Sequence, residues 1–273
     1  MTTQNISQGQ FNPAQFNPVQ FNPAQFKAGF IRSLISEFMK FNSRAIIVTA
    51  GLAFFFYTVI VYMVSDPEWN QAEITGAHIT DGWQFLTLFF IVIGAMSVTV
   101  EYSHNTMRTT MMSDPRRSRV FVAKIVAVAG FSALLLLAII IGAWFAMTIR
   151  HGNVNFFGDG VLPIAMFAFV LITIAVMSAG LGYIVRSTAG AISLMTAFTL
   201  LSDTFVLIPG TFFREIFPQF TPYALGTAAI ADAPIVPGDS VIILNSWHAA
   251  GTLGLYATII AALGWLLFAR RDA

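Results

Sequence analysis

Ile125-Val-Ala-Val-Ala-Gly-Phe-Ser-Ala-Leu-Leu-Leu-Leu-Ala-Ile-Ile-Ile-Gly-Ala-Trp-Phe-Ala-Met-Thr-Ile149 runs for 25 residues without a charged side chain, bounded by Lys124 and Arg150. As a helix rising 1.5 Å per residue it measures about 37 Å. The hydrocarbon core of a bilayer is about 30 Å thick, so this segment crosses it and must tilt or project. The same texture recurs on either side. With its beginning placed near Phe121, the stretch is the third of six apolar segments: 45–64, 84–101, 121–149, 161–185, 189–208 and 248–268. The expected fold is an all-α integral membrane protein of six transmembrane helices, its membrane domain covering 45–268.

Composition agrees with that reading. Of 273 residues, 56% are hydrophobic and only 10% are charged, and the mean hydropathy is +0.74. Soluble domains carry about 25% charged residues to keep their surfaces in water, so a soluble enzyme is excluded. The 14 basic and 13 acidic side chains nearly cancel to +1, and no nucleic-acid partner is expected. Cysteine is absent, which removes disulfides, cysteine nucleophiles and thiolate metal sites. The first 25 residues are polar and uncharged, unlike a cleavable signal peptide. The first span is therefore expected to serve as an uncleaved anchor.

Orientation follows from the basic residues. With the N-terminus inside, the cytoplasmic side holds Lys27, Arg32, Lys40, Arg44, Arg108, Arg116, Arg117, Arg119, Lys124, Arg186, Arg270 and Arg271, against Arg150 and Arg214 outside, or 12 to 2. Short inner loops carry the excess of Lys and Arg, and an even number of spans returns the C-terminus to the cytoplasm. Residues 1–25 contain the repeat Phe11-Asn-Pro-Ala-Gln, Phe16-Asn-Pro-Val-Gln, Phe21-Asn-Pro-Ala-Gln. Its period of five, with a proline each time, blocks regular helix and predicts a disordered tail. Residues 26–44 then turn helical, with Phe26, Phe30, Leu34 and Phe38 in one row beside Ile31, Ile35 and Met39. Lys27, Arg32, Ser33, Ser36, Glu37 and Lys40 take the other side, which predicts an amphipathic interfacial helix. The outer segment 209–247 has five prolines and the run Phe212, Phe213, Phe217, Phe220, Tyr223. It is too apolar for a free loop and too broken for a span, so short extracytoplasmic helices are expected there. Small residues recur within the spans at Ala175, Ser178, Ala179, Gly180, Gly182, Gly251 and Gly254, the composition of close helix contacts.

The chemistry concentrates in the inner loop, 102–120. An acid, Glu101, ends the second span, and residues 106–112 have helix-compatible side chains. Pro115 bars continuation of that short helix, and Arg116, Arg117 and Arg119 lie at the headgroup level. By composition alone such a cluster anchors a chain to anionic lipid. Glu101 is expected to pair with one of these arginines.

The run Glu101-Tyr102, Thr106-Met-Arg108, Pro115-Arg116-Arg117, Arg119 and Ala123-Lys124 resembles the cytoplasmic signature of ABC transporter permeases of the type-2 exporter class. In many bacterial members it reads glutamate-tyrosine-x-x-glycine-threonine-x-arginine, then a proline-arginine turn and an alanine-lysine. The resemblance extends over roughly residues 27 to 270 and departs at Asn105, where glycine is usual. Asparagine also tolerates a left-handed helix-ending position. The resemblance implies a permease in a bacterial plasma membrane, paired with a second copy or a related permease and docked on two ABC ATPase subunits. Glu101, Tyr102, Thr106, Arg108, Pro115, Arg116, Arg117 and Arg119 would carry coupling to the ATPase. Independently, a Walker A loop needs Gly-Lys-Ser/Thr, and Lys27, Lys40 and Lys124 follow Phe26, Met39 and Ala123. ATP must then be handled by another chain.

Among other candidates, Asp203 lies five residues before the end of the fifth span. An intramembrane carboxylate is a functional candidate for substrate binding or gating, although only about 7–8 Å of helix separates it from that end. His78, His104, His151 and His248 show no metal-ligand spacing. No catalytic, cofactor or metal site is expected. The leading function is the membrane subunit of an ATP-driven exporter of an apolar or amphipathic substrate such as a drug, lipid or peptide. The alternative is an ion-coupled secondary transporter, which would place several ionisable groups at the midplane; only Asp203 qualifies. An intramembrane enzyme finds no His-Glu-x-x-His or Gly-x-Ser-x-Gly motif.

Overall fold

The computed structural model describes residues 29–64, 75–113, 116–152, 160–201, 212, 216–232 and 245–270. Nine α-helices are described: α1 (Phe30–Met39), α2 (Arg44–Val64), α3 (Trp83–Ser103), α4 (Met107–Ser113), α5 (Arg117–His151), α6 (Val161–Val185), α7 (Thr188–Thr196), α8 (Pro222–Ala231) and α9 (Ser246–Arg270). Single 3₁₀ turns at Lys40–Asn42, Gly76–Thr80 and Phe217–Phe220 join them, and a π-helical turn, Ala197–Leu201, extends α7. The fold is all-α. Among the described residues, α2, α3, α5, α6 and α9 are long and apolar enough to cross a membrane. The expected span at 189–208 begins as α7 and is described as far as Leu201. Asp203 lies outside the described residues, as do the repeat tail at 1–25, Pro115 and much of 209–247.

Helix α6 is the pillar of the bundle. Met166, Phe167, Val170, Leu171, Ile174 and Tyr183 are among its buried side chains, and α3 and α9 pack on opposite parts of it. Lipid is as apolar as leucine, so helix association depends on close fit and on hydrogen bonds between helices. Both occur here. Ser178 Oγ donates to the Ile91 carbonyl at 2.6 Å across the α3–α6 seam, an interaction worth about 1 kcal/mol in such a setting. Gly94 in α3 lies so near α6 that a Cβ there would stand 2.2 Å from the Ala175 carbonyl oxygen. Gly180 and Gly182 serve the same purpose, against α9 and α3 respectively, whereas Gly251 faces open space.

The Tyr57 hydroxyl of α2 donates to the Ile79 carbonyl at 2.7 Å and pins the 3₁₀ turn Gly76–Thr80 against the bundle. Trp83 of α3 stacks on Tyr223 of α8, ring centroids 5.5 Å apart. Helix α8 starts as its sequence dictates: Thr221 caps it, accepting from Ala224 N at 3.2 Å, and Pro222 occupies the first turn.

Candidate functional site

Four charged side chains converge where α1, α3 and α5 meet at one end of the bundle. Glu37 comes from α1, Lys40 from the 3₁₀ turn that follows it, Glu101 from the last turns of α3 and Lys124 from the second turn of α5. Lys40 Nζ lies 2.5 Å from Glu37 Oε1 and 2.9 Å from Glu101 Oε1. Lys124 Nζ pairs with Glu37 Oε2 and with Glu101 Oε1. Each ammonium thus bridges both carboxylates, and the two acids and two bases sum to zero.

Burial makes that balance necessary. The Lys124 side chain is 1% exposed and that of Glu37 2%. Taking an ion out of water costs several kcal/mol even after relaxation, a cost offset only where opposite charge and good geometry surround it. Lys40 stays half-buried. Burial alone would lower its pKa, but the Glu101 and Glu37 carboxylates outweigh it and hold the ammonium above the usual lysine value. Lys40 Nζ also lies 3.4 Å from Thr110 Oγ1 of α4, so the cluster reaches the short helix between α3 and α5. Beside it is a cavity of about 340 Å³ lined by Lys40, Ile46, Met96, Ser97, Thr106 and Thr110, among others.

The turn from α3 into α4 is built by Asn105. It adopts φ 54°, in the left-handed region. The Thr106 N–H donates to the Glu101 carbonyl at 3.0 Å and the Asn105 N–H to the Tyr102 carbonyl at 3.3 Å. This pair of bonds is a Schellman motif, whose left-handed position takes glycine or asparagine. The backbone of Glu101 therefore closes α3 while its side chain holds the ion cluster. Helix α4 then packs through Met107, 2% exposed, and turns Arg108 and Met112 outward.

The residues singled out from the sequence divide accordingly. Glu101 lies in the cluster. Tyr102 lies beneath the guanidinium of Arg186, 4.9 Å from ring centroid to Cζ. Thr106 opens α4, and Arg108 is exposed on it. Arg116 is the N-cap of α5. Arg117 donates from Nη1 to the Phe268 and Ala269 carbonyls at 3.2 and 3.1 Å, fastening α5 to the end of α9. Arg119 is half-buried in the first turn of α5. The ion partners of Glu101 are Lys40 and Lys124, where the sequence suggested Arg116, Arg117 or Arg119. The arginines lie at the start of α5, and Lys124, five to eight residues further on, reaches the buried acid.

Glu37, Lys40 and Thr110 escaped the sequence reading. Their signal was charge accounting: Lys124 adjoins a long apolar run, and the inner side has few acids to neutralise it. Helix α1 also turns its faces unexpectedly. Ile31, Ile35 and Met39 point outward, at 70%, 52% and 66% exposure, while Glu37 faces the bundle and Leu34 and Phe38 pack beside it.

Among the described residues, five apolar helices and a bundle end gathered by buried ion pairs define a polytopic membrane protein. A family model described as ABC-2 family transporter protein matches residues 33–212, about two thirds of the chain and all four charged residues of the cluster. The chain belongs to that family, a class of membrane subunits of transporters. No curated protein sequence matches it.

Proposed function

We propose that this chain is the permease of an ATP-driven exporter whose ATPase is a separate subunit, and that α4 is the element the ATPase moves. The observation that carries this reading is the attachment of α4. A lone seven-residue helix on a loop would swing freely and transmit nothing. Here α4 follows directly from the Schellman turn of α3, is anchored by Met107, and stands in contact through Thr110 with Lys40. Lys40 in turn is paired with Glu37 on α1 and Glu101 on α3. A displacement of α4 is therefore passed to α1 and α3 together and, through Lys124, to α5.

In this reading Arg108 and Met112 meet the ATPase, Tyr102 steadies the end of α3 against Arg186, and Arg116, Arg117 and Arg119 steady the start of α5. Two ATPase copies and a second permease complete the transporter in a bacterial plasma membrane, both termini inside. The near absence of charge within the spans fits an apolar or amphipathic cargo. The test is reconstitution. In proteoliposomes the chain with its ATPase should move cargo only with ATP, and cargo should raise ATP turnover, while the chain alone neither binds nor hydrolyses ATP. Cargo movement driven by an ion gradient without any ATPase would refute the proposal and favour the secondary transporter.

A further inference from the structure

The cavity beside the ion cluster has two kinds of wall. Phe41 and Ile46 are buried, and with the half-buried Met96 and Val100 they form an apolar side. The other side is polar: the cluster itself, and the hydroxyls of Thr106 and Thr110 beside it. Ser43 and Thr106 are both exposed and both line the space, so it opens between the start of α2 and the start of α4.

The chemistry of these walls selects an occupant. A bound water needs two to four polar partners, and the apolar side offers none. A pure hydrocarbon would seal the mouth and cut the hydroxyls of Ser43 and Thr106 off from any donor. A charged ligand would unbalance a cluster whose two carboxylates and two ammonium groups already sum to zero, and unbalanced charge is costly away from water. Thr106 Oγ1 donates to the Glu101 carbonyl at 3.4 Å. Its hydrogen is thus spent on backbone, and what it offers the cavity is an acceptor. The volume of about 340 Å³ stands at the small end of the roughly 300–1,000 Å³ of ligand pockets. That suits one short chain and not the two acyl chains of a membrane lipid.

We propose that this cavity binds a neutral, single-chain amphipath of the medium-chain alcohol class, its hydroxyl donating to Thr106 Oγ1 at the mouth and its chain lying on Phe41, Ile46, Met96 and Val100. Because Thr106 and Thr110 stand on one side and the turn after α1 on the other, a bound molecule fixes the distance between α4 and that turn. The site rests on this geometry and not on the coupling role given to α4 above.

The experiment is photolabelling of the full chain alone, in phosphatidylcholine vesicles, with octan-1-ol carrying a diazirine in its chain. Labelling should saturate at one molecule per chain, and digestion should place the adduct on the peptides that hold Phe41 to Ile46 and Met96 to Val100. Unlabelled octan-1-ol should protect. Methyl octyl ether, which has no donor, and octylammonium, which is charged, should protect about tenfold less at equal membrane concentration, the effect of one lost hydrogen bond. Val100→Phe fills the cavity from α3 and should lower the saturable labelling about tenfold. Should this variant fail to fold, Ser43→Phe, at an exposed position on the mouth, provides the same block. Labelling spread over the helices without a saturable part would overturn the proposal. So would equal protection by the ether or the ammonium, or undiminished labelling in a folded cavity-filling variant. None of these measurements involves an ATPase, so failure here leaves the transport reading standing, and failure of transport leaves this site standing.

Discussion

The ammonium of Lys124 on α5 pairs with the carboxylate of Glu101 on α3, and it does so out of water. The two residues lie on either side of the inner loop, so the pair ties its ends together and fixes where α4 can stand. Glu37 on α1 and Lys40 on the 3₁₀ turn extend the bond to a third and fourth element, which makes this end of the bundle one connected unit.

Removing one partner from this unit is costly. Glu101→Lys would leave three ammonium groups around the single carboxylate of Glu37. Breaking a buried pair by losing one partner costs about 3–5 kcal/mol, whereas replacing both members with apolar side chains is often neutral. Glu101→Lys should therefore insert in the membrane yet lose ATPase association or transport. The pair Glu101→Leu/Lys124→Met should unfold at a higher temperature than either single variant. A cycle of thermal unfolding and ATPase pull-down across the wild type, both singles and the double reads this coupling. Strict additivity, or wild-type transport in Glu101→Lys, would remove the cluster from the mechanism.

Of the four charged side chains of this unit the sequence singled out Glu101 alone, and it offered arginines as the partners. The helices around it were more legible, and the difference has a physical reason. An unbroken run such as 125–149 has no reading other than a buried or membrane helix, and an acid at a span's end marks itself. Asn105 was readable too, since few side chains tolerate a left-handed turn. The orientation of α1 was not. Periodicity states that Ile31, Ile35 and Met39 share one face and Glu37 another; it does not state which face meets the protein. That depends on the partner charges of Glu101 and Lys124, which are 64 and 87 residues distant from Glu37 along the chain.

Orientation across the membrane has its own check, made simple by the absence of cysteine. Thr75 caps the 3₁₀ turn Gly76–Thr80 and Ser113 ends α4. A membrane-impermeant maleimide added to intact cells should label Thr75→Cys and spare Ser113→Cys until the cells are opened. The opposite pattern would invert the topology drawn from the 12-to-2 distribution of basic residues.

Acid should loosen the junction of α8 and α9. Asp232 ends α8 with φ 49°, and its Oδ1 accepts from Ser246 Oγ at 2.6 Å and from Ser246 N at 3.0 Å, at the first residue of α9. The Ser246 side-chain bond, then its backbone bond, holds the Asp232 pKa below its ordinary 3.8. A carboxyl with a lowered folded pKa stabilises fully above its unfolded value and loses that contribution as pH falls through the folded one. The melting temperature of the wild type should thus fall more steeply than that of Asp232→Asn once the pH drops below 3.8. Parallel curves would mean that the bond contributes nothing to stability.

Two glycines of the spans should respond in opposite directions, although the sequence presents them alike. In α3, a Cβ on Gly94 would stand 2.2 Å from the Ala175 carbonyl oxygen and 3.0 Å from the Ser178 Cβ. The first of these is backbone, in the middle of α6, and cannot rotate aside. Gly94→Ala must therefore push α3 from α6, and with it lengthen the bond from Ser178 Oγ to the Ile91 carbonyl, now 2.6 Å. The loss is expected at about 3 kcal/mol, the upper part of the usual cost of overpacking, because the obstacle is backbone. Gly251 in α9 has nothing within 4 Å of the same construction. There alanine adds helix preference without a clash, so Gly251→Ala should be neutral or stabilising by up to about 1 kcal/mol. Unfolding in detergent by heat compares the two directly. A Gly94→Ala protein as stable as the wild type would mean that the α3–α6 seam is looser than its geometry, and that α6 does not organise the bundle. A marked loss in Gly251→Ala would instead place a partner helix on that open face of α9.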